Sequence, residues 1–343
     1  VTARLRIGIV GLGLAVKPHA LALRDLADKV EVCGGFSPSP ARRRDFHAAW
    51  GFPVVDSLEA LLESREVGAL LILTPPLTHA DLALRAAQAG KHVLLEKPVD
   101  VTLPQARAVV EGLRAAGVKL GVVFQFRFRP GARVLRERLA EGALGDVLSA
   151  SASIRWWRPP EYFAQPGRGM KARDGGGVLL TQAIHQLDLL LHLAGPVSRV
   201  SAACRTSPLR AIDTEDIACG TVEFASGAVG VIDATTTAYP GYTERIELTG
   251  TGGSAILEGE RLTLHRAGRV TETIDGSLSG GGGADPMAFS HEPHRRLIED
   301  FVDAVRAGRE PAVSGRSALR VHALIDAMLQ SSALQQAVAV EPT

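Results

Sequence analysis

Short, continuously apolar runs alternate with helix-like stretches through the first 126 residues, and few folds other than a parallel sheet layered with helices accommodate that alternation. Arg4 to Val10 (RLRIGIV) reads as the first strand, and Gly11-Leu-Gly13 turns at once into a helix running through Leu21 to Ala27. Val30 to Phe36 is the second strand, Val54 and Val55 a short one, and Ser57 caps a helix through Glu63. Ala69 to Leu73 is a buried strand that ends in Thr74-Pro75-Pro76. The helix from His79 to Ala89 stops at Gly90, and the strand within KHVLLEKP (91–98) follows it. A helix opened by Pro104 and closed by Gly117 leads to a last strand, Lys119 to Phe126, where the domain boundary is placed.

In an open α/β sheet, ligands gather at the carboxyl ends of the strands, so the residues just past each apolar run carry the functional expectation. Gly11 and Gly13 let the backbone turn tightly and approach a pyrophosphate, which would sit on the free N–H groups and positive end of the following helix. The third small residue of GxGxxG is replaced by Val16, which implies a different helix–strand packing. The second strand ends in Phe36-Ser37 with no acidic residue for an adenosine ribose, and Arg42, Arg43 and Arg44 begin the next helix. A hydroxyl followed by guanidinium groups suits a 2′-phosphate, so NADP is expected, with NAD as the alternative; a solvated start of a helix explains the same arginines. At the end of the fourth apolar run stand Glu96, Lys97 and Pro98, and Lys97 is expected to project into an interdomain cleft, although a lone lysine in a turn is ordinarily a surface group.

The remainder, 127–343, reads as an α+β domain. Asp146 to Trp157, Val197 to Thr206, Glu215 to Phe224, Ala228 to Thr237, Glu244 to Thr249, Ser254 to Glu258, Arg261 to Arg266 and Val270 to Ile274 are strand-like. Turn pairs such as Ser226-Gly227 and Gly252-Gly253 separate them in the manner of antiparallel hairpins. Ser277 to Pro286 reads as a flexible loop, and Glu292 to Ala307 and Ser317 to Ala337 as helices with one apolar stripe. Between these strands, DGGGVLLTQAIHQLDLLLHLAG (174–195) sets a triple glycine before a strongly apolar helix; the glycines permit close approach of a neighbour. Thr181, His185, Asp188 and His192 fall at spacings of four, three and four, one polar stripe on a buried cylinder. His185 by itself reads as a hydrogen-bonded core histidine. Arg155, Trp156, Trp157, Arg158, Tyr162, Lys171 and Arg173 mix aromatic faces with cations, which suits an acidic sugar or equally a structural edge.

A chain of 343 residues is long enough for about two domains. With 38 basic against 37 acidic residues its net charge is +1, so no field is expected that would recruit nucleic acid or an anionic membrane. The helix Val178 to Ala194 is too rich in polar groups for a membrane span. Cys33, Cys204 and Cys219 are scattered without metal-ligand spacing, which argues against a disulfide framework or zinc and for a reduced cytoplasm; no targeting segment is read ahead of the first strand.

The GLG turn at 11–13, TPPLTHADLALRAAQAGKHVLLEKP at 74–98 and the GGG…H…D pattern resemble the glucose–fructose oxidoreductase/inositol dehydrogenase/MocA family. The resemblance extends over nearly the whole chain, including HRRLIEDFVDAVRAGREPAVSG near the C-terminus. It implies a Rossmann domain with a parallel sheet joined to a domain with a large, open, mostly antiparallel sheet, and a dehydrogenase that moves hydride between a nicotinamide and a sugar, polyol or similar secondary alcohol. It implies Lys97 and His185 as the catalytic pair, and Gly11, Gly13, Leu14, Ser37, Arg42, Thr74, Pro75, His79, Glu96 and Lys97 around the cofactor. Arg158, Tyr162, Lys171, Gln182 and Asp188 are the substrate candidates, and Pro98 is expected to follow a cis peptide. Relatives commonly carry Asp where this chain has Thr181, which leaves proton transfer to Lys97 and His185. A homodimer or homotetramer follows by resemblance alone. The competing readings are a noncatalytic dinucleotide sensor and a glycosidase that regenerates its nicotinamide.

Overall fold

The computed structural model describes residues 3–276 and 290–343, so the loop expected over 277–286 lies outside the described residues. The chain forms two compact units. One comprises the residues through Gln125 together with Ser290–Leu319, and the other runs from Phe126 and includes Arg320–Thr343. The units divide between Gln125 and Phe126, and the helix Glu292–Ala307 belongs to the first unit. Its apolar stripe packs on the helix Val16–Asp25 and against the strand His92–Leu95, and Phe301 lies over Gly121, where an added Cβ would come within 2.8 Å of the ring. Periodicity reveals such a stripe without revealing which sheet it covers.

In the first unit, β1 (Leu5–Val10), β2 (Val30–Phe36), β3 (Ala69–Ile72), β4 (His92–Leu95) and β5 (Leu120–Val122) form a parallel sheet in the order β2-β1-β3-β4-β5. Every residue of β3 is buried, as expected of a parallel strand covered on both faces. Two of the helices between strands begin on side-chain caps: Ser39 accepts from the Arg42 N–H and Thr102 from the Gln105 N–H. The expected strand at Val54-Val55 shrinks to one bridge between Val54 and Gly35. Strand order reverses direction between β1 and β3, and this switch point is where α/β sheets bind ligands.

In the second unit, β6 (Val147–Arg155), β7 (Val197–Arg205), β8 (Ile217–Phe224), β9 (Val229–Thr235), β10 (Arg245–Gly250), β11 (Gly253–Glu258), β12 (Arg261–Arg266), β13 (Glu272–Ile274) and β14 (Val338–Ala339) make a sheet in the order β13-β12-β11-β10-β6-β9-β8-β7-β14. Only β6 and β9 run parallel. The helices Pro130–Ala140 and Ile184–Ala194 cover one face, and the strands alternate buried with exposed residues accordingly. The short β14, which the sequence reading left unassigned past its last helix, adds an edge to β7.

Candidate active site

At the switch point of the first unit, Gly11 has φ +101 and a Cβ there would meet the Leu73 carbonyl carbon at 2.7 Å, so only glycine fits. Gly13 faces open space, and Leu14 is 77% exposed beside it. The helix Val16–Asp25 then begins with no side-chain cap and no acidic residue in its first turn. The Val16 N–H donates to the Gly13 carbonyl at 3.2 Å and Pro18 has no N–H, so the glycine turn and the positive end of the helix dipole are what this end offers a dinucleotide pyrophosphate. Val16 is accommodated as a buried core residue, which accounts for the departure from glycine.

Ser37, 3% exposed, is drawn inward: its Oγ accepts the Ser39 N–H. Arg43 folds back onto the Ser37 carbonyl and Asp56 and is taken up by the loop, whereas the exposed Arg42 side chain has no hydrogen bond or ion pair among the described residues. Thr74 and the exposed Pro75 stand past the end of β3, at the ligand edge. His79 requires a correction: it is fully buried, its Nδ1 lies 2.7 Å from the Pro98 carbonyl oxygen and its Nε2 2.8 Å from that of Thr74. Burial pushes its pKa down against the pull of the two carbonyls. His79 braces the loops after β3 and β4 and offers no atom to a cofactor.

Past β4, Glu96 and Lys97 are half-buried and the Lys97–Pro98 peptide is cis, as expected. One Glu96 oxygen lies 2.9 Å from Nε2 of His19, and the other accepts the Lys97 N–H at 3.0 Å. Burial pushes the Glu96 carboxyl up, yet the His19 hydrogen bond and the nearby charges of His19, Lys97 and His294 hold it below the usual carboxylate range.

In the second unit, Leu179–Ala183 forms a π-helical turn that passes directly into the helix Ile184–Ala194, an irregularity frequent at functional sites. The triple glycine before it is explained within the unit: Gly177 and Leu179 N–H groups donate to the Glu215 carboxylate, and a Cβ on Gly177 would lie 2.0 Å from the Glu215 carbonyl oxygen. The turn directs Thr181 back to the Gly177 carbonyl, 2.7 Å away, so the hydroxyl is engaged as a helix backbone bond. Gln182 donates to the Tyr162 hydroxyl at 3.3 Å. His185, 8% exposed, stacks on Phe126.

Two further substrate candidates are corrected by their surroundings. Asp188, 1% exposed, takes both prongs of Arg127, and burial raises its carboxyl pKa against the pull of that guanidinium. Arg158, 3% exposed, lies over the rings of Trp156 and Tyr162. Both are internal parts of the fold. Lys171 remains exposed, its backbone fixed by its N–H donating to Asp213 and its carbonyl accepting from the Gly175 N–H. The aromatic–basic cluster divides: Arg155 faces outward to Asp233, Trp156 donates to buried Glu244, and Arg173 folds onto the Pro166 carbonyl. Sequence reasoning missed Phe126, Arg127, Arg129 and Arg210, because each meets a partner distant in the chain; the Arg210–Asp216 pair, 2.9 Å apart and buried, holds the Arg158 and Thr236 carbonyls.

A glycine turn onto an uncapped helix at a sheet switch point, with an acid–lysine pair at a neighbouring strand end, defines a dinucleotide-dependent oxidoreductase. Residues 5–124 match the description "Oxidoreductase family, NAD-binding Rossmann fold" and residues 132–256 the "GFO/IDH/MocA C-terminal domain". The chain belongs to this GFO/IDH/MocA oxidoreductase family. Among its relatives, inositol 2-dehydrogenase of Rhizobium meliloti is 30% identical, with 98% of this chain and 99% of that protein aligned. D-apiose dehydrogenase of Paraburkholderia graminis is 28% identical over 96% and 88% respectively. Among solved structures, the WlbA dehydrogenase from Bordetella pertussis in complex with NADH and UDP-GlcNAcA superimposes with a TM-score of 0.85 at 27% identity, covering 99% of this chain and 100% of that one.

Proposed function

We propose that the protein oxidises a secondary hydroxyl of a sugar, polyol or sugar derivative, or reduces the corresponding carbonyl, with Lys97 and His185 as its catalytic pair. The observation that carries this reading is the half-buried Glu96–Lys97 step past β4, tied through Glu96 to His19 on the helix that opens at the glycine turn. Bound nicotinamide supplies the hydride acceptor or donor. His185 removes the hydroxyl proton, a task suited to a group that titrates near neutrality in its unperturbed form. Lys97 donates a hydrogen bond to the same oxygen and balances the negative charge that grows on it. Gly11, Gly13 and Leu14 hold the pyrophosphate with the helix N-terminus, and Thr74, Pro75 and Glu96 flank the nicotinamide side. Tyr162, Gln182 and Lys171 contact the carbohydrate.

NADP is the proposed cofactor in preference to NAD, supported by exposed Arg42 and by the absence of an acidic residue after β2. The proposed assembly is a homodimer or homotetramer: Val229 and Val231 on β9, 55% and 50% exposed, pair with Ser149 and Ser151 of β6 in a weakly polar strip suited to a second copy. No helix among the described residues is long and apolar enough to cross a membrane. The three cysteines are unpaired, which supports a cytoplasmic location.

A panel of polyols, aldoses, uronates and sugar nucleotides, followed by nicotinamide absorbance, tests the activity. Lys97→Ala and His185→Ala should each lower kcat at least ~100-fold while cofactor still binds. Near-normal turnover in either variant removes that residue from the mechanism. Cofactor binding without turnover across the panel favours a sensor, and product without net nicotinamide change favours a glycosidase.

A further inference from the structure

We propose that His19 is a positioning residue for Lys97, acting through Glu96. The inference rests on the reading of Lys97 as the cation at the substrate oxygen. His19 lies one turn into the helix Val16–Asp25 and is fully buried with its Nδ1 lacking a hydrogen-bond partner among the described residues, so the contact made by Nε2 is what offsets the cost of burying the ring. Its Nε2 is 2.9 Å from Glu96 Oε1. An ionised carboxylate only accepts, so the ring carries its proton on Nε2 and donates. Glu96 Oε2 accepts the Lys97 N–H at 3.0 Å, and the Glu96 N–H itself donates to the Ile72 carbonyl at 2.9 Å.

The carboxylate is thus held at both ends. One oxygen is tied to the helix that opens at the glycine turn, and the other to the backbone of the residue that bears the ammonium. The ring of His294, from the helix Glu292–Ala307, meets His19 edge-on with centroids 4.9 Å apart and fixes the imidazole from a third element. Without His19, Glu96 Oε1 would be a buried acceptor lacking its donor, and the carboxylate would turn to recover one, releasing the Lys97 N–H.

His19, Glu96 and His294 also place three potential metal-ligand atoms within 4.8 Å of one another. The 2.9 Å His19–Glu96 separation is that of a direct hydrogen bond, and the proposal requires that no metal replace it.

The test is a double-mutant cycle in the full-length protein, with His19→Ala, Lys97→Ala and their combination, and with His19→Gln as a variant whose side-chain amide can still donate. Turnover, KM, cofactor dissociation constant and melting temperature are read for each. The proposal expects His19→Ala to lower kcat about tenfold with cofactor affinity changed less than ~2-fold, His19→Gln to recover most of the loss, and His19→Ala to add nothing once Lys97 is gone. Should His19→Ala not fold, His19→Asn, whose amide stops short of the carboxylate, takes its place. Full additivity with Lys97→Ala, unchanged kcat in His19→Ala, or a Gln variant no better than Ala overturns the proposal. So does a stoichiometric metal in the purified protein that His19→Ala removes, because the nitrogen would then be a ligand. If Lys97→Ala itself turns over normally, the reading of Lys97 fails first and His19 loses its object, an outcome distinct from the others.

Discussion

The ring of Phe126 lies against the imidazole of His185, centroids 4.9 Å apart and planes within 25° of parallel. The Arg129 guanidinium also lies over Phe126, its carbon 3.3 Å from the ring centroid, and Arg129 is paired at 2.7 Å with fully buried Glu244. A single aromatic plane thus links a buried ion pair to the proposed base, and the stack limits how far the imidazole can rotate. Aromatic pairs of this kind are worth about 1 kcal/mol beyond their buried area. Phe126→Leu, which keeps apolar volume and loses the plane, should lower kcat roughly fivefold while leaving cofactor affinity intact. Steady-state kinetics with a cofactor titration check it, and unchanged kcat would separate the stack from catalysis.

The Arg127–Asp188 pair anchors the helix that carries His185, with side chains 8% and 1% exposed. Removing one partner of such a pair leaves a buried, uncompensated charge and costs about 3–5 kcal/mol. Arg127→Ala should therefore destabilise far more than a surface arginine substitution. Asp188 already has its carboxyl pKa raised by burial, and losing the guanidinium raises it further. A carboxyl with a raised folded-state pKa contributes stability below its unfolded value and loses it as pH rises through the folded one. The deficit in Arg127→Ala should accordingly be smaller at pH 5 than at pH 8, and Asp188→Asn in the same background should recover part of it. Urea titrations at the two pH values decide.

The strands of both sheets, β14 apart, were legible because their cues are local: apolar runs for β3 and β4, alternation with glycine turns from β6 to β12. The glycine turn and Glu96-Lys97 were legible for the same reason, since one strand end presents each of them. Partnerships were not. Asp188 and Arg158 carry the chemistry of substrate contacts, and only the approach of Arg127 to one and of Trp156 and Tyr162 to the other shows that each is consumed inside the fold. His79 was placed at the cofactor by the resemblance alone, while its partners are two carbonyls, one of them 19 residues away. Periodicity identifies the face a residue occupies, and long-range packing decides what it meets there.

Cofactor choice turns on Arg42. Arg43 is already fastened to the Ser37 carbonyl and Asp56, so Arg42→Ala should remove most of any preference for NADP and Arg43→Ala should act mainly on stability. A charge-assisted contact to phosphate is worth about 1.5–3 kcal/mol, hence a loss of at least ~10-fold in NADP affinity with NAD affinity nearly unchanged. Dissociation constants for both cofactors in the three proteins check this. A wild-type protein that binds the two equally and is indifferent to Arg42→Ala would overturn the preference for NADP.

Stability should fall as the medium becomes mildly acidic, and His322 is one identifiable cause. It is 3% exposed on the helix Gly315–Leu334, and burial pushes its pKa down to about 4 from an ordinary value of 6.5. A histidine depressed in the folded state leaves stability intact above the unfolded pKa. As pH falls below that value, the unfolded chain takes up a proton that the folded one refuses until near pH 4. At pH 5 this linkage amounts to about 2 kcal/mol, a substantial part of the net stability of an ordinary domain. His192, partly buried near Arg127, Arg136 and Arg320 and pushed down to about 3, adds in the same direction. His322→Gln replaces the titrating ring by a neutral amide. Whatever it costs at pH 8, where both rings are uncharged, its unfolding free energy should decline less than that of the wild type between pH 7 and pH 5. Parallel denaturant curves across that interval would refute the assignment if the two proteins lost stability at the same rate.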